Sequence, residues 1–358
     1  MIIMGRKVIV CNLKKSFFPV IPYYMDKNKI LNRARGVRAN YKPALISSAA
    51  SFMIILILLD PVTYVQSALT GLILFGTKVA PALFPFFFFS GILTRLGAAE
   101  SVGKIMRRPL AALYNVPGCG GYVWGMSILS GYPVGAKLVR ELYDGGEIDS
   151  RQAVAITSFT STSGPLFIVG TVAASMFNCA RMGYILLAIH FAAALINGFF
   201  YRGKKGEGIS TRVKPIRMRI SSALSESMKS AITSSLTVGG FVVIFGMAAD
   251  ALYNTGIISA LATPLSRIMP GGSLTLAEGT LIGLVEVTRG AAYMAQAGAD
   301  MQAVLPCLSF ILAFGGFSII LQSLSFISSC KVSAKKFLSM KCSQSVTAAL
   351  IATLVALL

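Results

Sequence analysis

Long apolar runs alternate with short basic stretches along the whole 358-residue chain. Runs at 44–60, 64–95, 152–177, 182–201, 230–255, 302–328 and 337–358 predict seven membrane spans, since about 20 apolar residues cover the roughly 30 Å of a bilayer core. Two further stretches behave differently. Residues 115–146 and 274–300 each have an apolar first arm too short to cross, followed by a charged return. They predict re-entrant hairpins that enter and leave on one side. Residues 98–114 and 257–270 predict interfacial helices.

Several of these segments are interrupted by Gly, Pro and hydroxyl residues. The interruptions are SGYPVGAK at 130–137, SFTSTSGPLF at 158–167, EVTRG at 286–290 and GGFSIILQS at 315–323. Their spacing repeats. Pro109 to Gly131 is 22 residues, as is Pro264 to Glu286, and Gly131 to Ser161 is 30 residues, as is Glu286 to Gly316. The common offset of 155 residues predicts two halves, 64–201 and 230–358, preceded by an extra helix at 44–60 and a basic tail at 1–43 and joined by a basic linker at 202–229. Residue identity between the halves is poor, so the repeat is one of hydropathy and break position. Each half has three spans, so the halves lie in opposite orientations. The fold class expected is an all-α integral membrane protein, with about seven transmembrane helices and two re-entrant hairpins in an inverted-repeat, transporter-like architecture.

Composition agrees. The chain is 55% hydrophobic and 13% charged, where soluble domains carry about 25% charged residues; a soluble enzyme is excluded. Residues 1–43 lack the short apolar core and cleavage site of a secretory signal. The net charge is +20, and 29 of the 33 Lys/Arg fall in four clusters: 10 in 1–43, 7 in 95–151, 8 in 202–229 and 4 in 331–341. Basic loops stay cytoplasmic, and a cytoplasmic N-terminus puts all four clusters inside, with Arg181 and Arg267 as the loop exceptions. Nucleic acid is not an expected partner, because the clusters lack interleaved aromatics. Adhesion of the tail to anionic lipid remains open.

Chemistry is sparse. Six dispersed cysteines form neither a disulfide framework nor a zinc site. The lone His190 reads as a helix-packing residue, and without a second histidine there is no Ser-His-Asp triad or H-E-x-x-H motif. A Walker-type nucleotide loop is also missing from the sequence. No metal, no cofactor and no enzyme activity are expected.

The breaks carry the binding chemistry. A broken helix frees N–H and C=O groups that lipid cannot satisfy, so breaks persist where protein or a wet cavity covers them. Helix N-termini there favour anions, and Thr160, Ser161, Thr162 and Ser163 add hydroxyl donors. Close packing through small residues is the competing account. Embedded charges need partners or water. Glu286 and Arg289 either neutralise each other or form a site in which Arg289 faces an anionic ligand and Glu286 orients it. Lys137, past Gly131 and Tyr132, is the counterpart from the first hairpin, or snorkels to the interface. Tyr132 can stack on a flat ring or simply pack. Ser318 and Gln322 are four residues apart and can share a helix face. Lys78 and Asp250 are isolated charges near span ends or paired internally.

The stretches NVPGCGGYVWGM, SGYPVGAKL, SFTSTSGPLFIVG, EVTRGA and GGFSIILQ, in this order and spacing, resemble the sporulation integral membrane proteins of the YlbJ type. That family carries the nucleoside-recognition Gate domain twice and is related to concentrative nucleoside transporters. The likeness covers roughly residues 65–330. STSGP stands where the family pattern leads one to expect an Asn-rich S-N-P version. The resemblance implies a protein of the outer forespore membrane that passes dipicolinic acid toward the forespore. A small anionic molecule and the bilayer are the implied partners, beside further copies of the chain or other sporulation membrane proteins. The competing readings are a nucleoside-like solute carrier and a structural component without cargo.

Overall fold

The computed structural model describes residues 41–203, 219–296, 298 and 300–358. The basic tail as far as residue 40, most of the basic linker (204–218) and the side chain of Lys78 lie outside the described residues. The chain divides into two units. Of the first, residues 1–52, the described part is the beginning of α1 (Tyr41–Leu59). The second, Met53–Leu358, carries every other element.

All regular elements among the described residues are helical. Helix α2 (Pro61–Leu74) runs through a π-helical turn at Phe75–Val79 into α3 (Ala80–Arg95), and α4 (Ala98–Tyr114) follows. A hairpin of α5 (Cys119–Ser130) and α6 (Val134–Asp144) comes next. A broken helix, α7 (Ser150–Thr160) and the π-helix Leu166–Met176, leads to α8 (Ala180–Phe200). The same order then recurs. Long α9 (Ile220–Asn254) and short α10 (Ile257–Ser266) precede the hairpin of α11 (Leu274–Val285) and α12 (Val287–Gln296). The broken pair α13 (Met301–Phe314) and α14 (Gly316–Ile327) leads to the closing helix α15 (Ala334–Ala356).

Local chemistry sets these starts and stops. Asp149 accepts from the Arg151 and Gln152 amides at 2.8 Å, while the Gln152 side chain accepts from the Asp149 amide at 2.9 Å. This capping box satisfies amide donors at the start of α7. Ser333 caps α15 by accepting from the Lys336 amide at 3.2 Å.

The chain is a multi-pass, all-α integral membrane protein. Among the described residues, Ala180–Phe200, Ile220–Asn254, Met301–Cys330 and Ala334–Ala356 are long and apolar enough to cross a bilayer; Ile46–Leu59 with Pro61–Thr77, bent by 113°, is a fifth candidate. The expected span 152–177 is realised as two helices of 11 residues, and that at 64–95 is interrupted by the π-helical turn. Leu58, Val62, Leu236 and Leu354 are 75%, 80%, 64% and 65% exposed, as lipid-facing side chains are.

The hairpin arms are short. Helices α5, α6, α11 and α12 have 12, 11, 12 and 10 residues, about 15–18 Å at 1.5 Å per residue, against the ~30 Å of a bilayer core. Each hairpin closes through a glycine. A Cβ on Gly135 would lie 2.5 Å from the Ser127 hydroxyl and the Thr160 carbonyl, and one on Gly290 would lie 2.4 Å from the Gly283 backbone. These two glycines are 155 residues apart, the offset read from the sequence.

The halves interlock. One core cluster joins the first hairpin (Val123, Val134, Leu138) to Ile320 and Ile327 of α14 and Phe337 of α15. A second joins Ile168 and Val172 of the π-helix to Val287 and Met294 of the second hairpin. The far arm of each broken helix thus packs with the hairpin of the other half.

Candidate functional site

Both hairpin tips dock on breaks. Gly131 ends α5 with φ +76°, a conformation that glycine adopts without steric cost. Its missing side chain admits the Gly164 amide, which would lie 2.2 Å from a Cβ there. In the second half, a Cβ on Gly316 would lie 3.1 Å from the Val285 carbonyl and 3.2 Å from the Val287 amide. Tip meets break in each half.

Between the two junctions lies a cavity of about 110 Å³. Five of the residues singled out from sequence line it: Tyr132, Ser163, Glu286, Ser318 and Gln322. Ser318 and Gln322, one turn apart on α14, are 2% and 3% exposed, and the Gln322 side-chain amide nitrogen has no hydrogen-bond partner. A buried donor without an acceptor is costly, and such groups mark sites that a ligand or water completes. Leu83, Val238 and Val242 form apolar wall.

Glu286 is 3% exposed, and its carboxylate accepts from the Arg289 backbone amide at 2.8 Å and the Thr288 hydroxyl at 3.1 Å. It therefore caps α12, where the helix dipole offsets its charge. What it orients is the start of the helix, not the guanidinium.

The other predicted residues lie off the cavity wall. The Arg289 guanidinium reaches Asp250 at 3.0 Å and the Ser67 carbonyl at 3.4 Å; the neutralising partner is thus Asp250 rather than Glu286. Lys137 is buried with its ammonium 4.8 Å above the Phe87 ring and without a hydrogen-bond partner, so it does not snorkel free. The Thr160 hydroxyl donates to the Ile156 carbonyl of its own helix at 2.9 Å. Ser161 contributes its carbonyl, which accepts from Lys341 at 3.2 Å. Arg289 and Lys137, expected to converge on an anion, are each seated against other groups.

Two residues near the site were not expected there, since His190 reads as helix packing and Lys341 as one of a basic cluster. His190 is buried and accepts the Ser163 amide on Nε2 at 2.8 Å, which satisfies a backbone donor freed by the break. Lys341, grouped by charge with a cytoplasmic cluster, is fully buried and donates to the Tyr132 hydroxyl, the Ser161 carbonyl and Gln344 Oε1. A signal was present: Lys341, Gln344 and Ser345 stand at i, i+3 and i+4, one polar face on a helix.

With this geometry in view, two comparisons are informative. A family model described as nucleoside recognition (Gate) matches residues 77–179. Over 333 residues the chain is 30% identical to the sporulation integral membrane protein YlbJ of Bacillus subtilis (strain 168), covering 85% of this chain and 80% of that protein. The chain belongs to the YlbJ family. No solved structure matches it. In this YlbJ-family chain the nucleoside-recognition match starts in the π-helical turn before α3 and ends just before α8. It takes in the first hairpin and the first broken helix. The second half of the YlbJ-family chain carries the same order of elements with little residue identity.

Proposed function

We propose that this protein is a secondary transporter that moves a small organic anion by alternate exposure of the cavity between the hairpins. Dipicolinic acid in a sporulating cell is the cargo we favour, with the outer forespore membrane as location, a cytoplasmic N-terminus and halves of opposite orientation. No chemistry is done on the cargo. The observation that carries the reading is Gln322, whose unpartnered, buried amide donor stands on the cavity wall one turn past Ser318 at the start of α14. There the first amides of a helix have no intrahelical acceptor. Glu286 does not oppose an anion with a free charge, because the start of α12 already holds it.

Purified protein in proteoliposomes is expected to take up labelled dipicolinate, and imposed ion gradients will identify any coupled ion. Gln322→Leu is expected to lower uptake about tenfold or more, the value of one hydrogen bond to a charged group, without loss of folded protein. Unchanged uptake in that variant would remove Gln322 from the site. Cysteine labelling near residues 205 and 270 is expected to report opposite sides of the membrane.

A nucleoside-like cargo is the second reading, favoured by the description of the matching family model and by the hydroxyl-lined apolar cavity. Uptake of a nucleoside with none of dipicolinate would select it. Movement of neither would favour a structural component of a spore-membrane complex.

A further inference from the structure

Lys341 is 0% exposed. Its ammonium donates to the Tyr132 hydroxyl, to the Ser161 carbonyl at 3.2 Å and to Gln344 Oε1 at 2.8 Å, and it lies 4.7 Å from the centre of the Tyr132 ring. All three acceptors are neutral. Among the described residues no carboxylate pairs with it. A buried cation that lacks a counter-charge is expensive, and a neutral side chain of similar length would fill this space at lower cost. Its three neutral acceptors satisfy its hydrogen bonds and leave a positive charge there without a counter-ion among the described residues.

Its neighbour connects that charge to the cavity. Tyr132 belongs to the cavity wall. Its hydroxyl accepts from Lys341 and donates its own hydrogen to the Ala313 carbonyl over a long 3.3 Å. A hydroxyl that accepts from an ammonium is polarised and becomes a stronger donor. Of the other embedded cations whose side chains are described, Arg289 is held by Asp250 and Lys137 lies above the Phe87 ring.

We propose that Lys341 is the resident counter-charge for the anionic cargo and that Tyr132 presents it. When a carboxylate enters the cavity, the Tyr132 hydroxyl exchanges the Ala313 carbonyl for the carboxylate oxygen, and its proton stays on the hydroxyl. The missing anion of the Lys341 site is the cargo itself. Lys341 acts through Tyr132 and is a specificity-determining residue, while Ser161 and Gln344 hold its ammonium in place. This inference rests on the anionic cargo proposed above.

The test is equilibrium binding of dipicolinate and of its uncharged diamide, pyridine-2,6-dicarboxamide, which has the same ring and no carboxylate, to the full chain in detergent. Lys341→Gln, Lys341→Arg and Tyr132→Phe are compared with wild type, and thermal melting of each is read without ligand. Lys341→Gln is expected to weaken dipicolinate binding at least tenfold and to erase the preference for dipicolinate over the uncharged diamide. Lys341→Arg, which keeps the charge, is expected to stay within about threefold of wild type. A purely structural latch would shift melting and weaken both ligands alike, leaving the preference intact, and that result overturns the proposal. So does wild-type dipicolinate affinity in a folded Lys341→Gln variant. If Lys341→Gln does not fold, Tyr132→Phe decides: a tenfold loss with a reduced preference supports the proposal, and unchanged binding overturns it. Failure of wild type to bind dipicolinate would instead remove the anionic cargo, and this inference with it.

Discussion

Gly131→Ala is expected to destabilise the protein by about 3 kcal/mol or more and to abolish transport. Two costs add. Gly131 sits at φ +76°, ψ −164°, a combination adopted essentially by glycine alone, and a side chain forced into it costs roughly 1–3 kcal/mol. The added Cβ would lie 2.2 Å from the Gly164 amide nitrogen and 2.9 Å from its Cα. Those are backbone atoms inside the helix break, so no side-chain rotation relieves the overlap. The hairpin tip would have to lift off the break, opening the cavity wall that Tyr132 and Ser163 share. Gly97→Ala is the control for steric overlap, because Gly97 has positive φ in the left-handed region (φ +89°, ψ 20°) with nothing within 4 Å of a Cβ; it should show a left-handed backbone cost of roughly 1–2 kcal/mol and no overlap. Melting of the purified variants in detergent, beside uptake, measures the difference. Equal losses in the two variants would mean that the junction with Gly164 contributes nothing.

Such junctions were legible in the sequence because they depend on residue types with local rules. Gly-Tyr-Pro, Ser-Gly-Pro and Gly-Gly cannot continue an α-helix smoothly in an apolar run, and helix interruptions stand at 131–133, 161–164 and 315. Glu286 also falls outside helix, with φ −143°, and there the cue was a charge within an apolar stretch. The short arms of both hairpins followed from length alone. The partners of the charged residues did not. Arg289 and Glu286 stand three residues apart, which invites a pair, whereas the guanidinium reaches Asp250, 39 positions earlier in the chain. Lys341 belongs by composition to a basic cluster whose other members are Lys331, Lys335 and Lys336. Only the fold, which carries the hairpin tip with Tyr132 against α15, turns it inward. Long-range pairing of this kind has no signature in spacing. The π-helical segments at 75–79 and 166–176 were equally unreadable, because apolar periodicity does not separate them from an α-helix over so few residues.

Arg289 gives the second large effect, and the structure changes why it is expected. Arg289→Ala should lose most transport, and Asp250 decides how to interpret that loss. The guanidinium lies 3.0 Å from the Asp250 carboxylate, which also accepts the Ser67 hydroxyl at 2.5 Å. The guanidinium packs beside Gly246, one turn before Asp250 on α9, where a Cβ would lie in ordinary contact 3.6 Å from the Arg289 Nε. The pair ties α12 of the second hairpin to α9 and α2. Removing one partner strands the other charge, a loss of about 1–3 kcal/mol at side chains 24% and 28% exposed. If the pair is a clamp, Asp250→Ala should be as damaging as Arg289→Ala, and the double variant should recover stability together with a sizeable share of uptake. If the guanidinium instead swings to the cargo during transport, the double variant will regain stability and stay inactive, while Asp250→Ala keeps its activity. The geometry favours the clamp, because Arg289 is off the cavity wall and its hydrogen-bonding reach is taken up by Asp250 and the Ser67 carbonyl. A double-mutant cycle read in melting and in uptake separates these outcomes, since a clamp moves both quantities together and a cargo contact moves them apart.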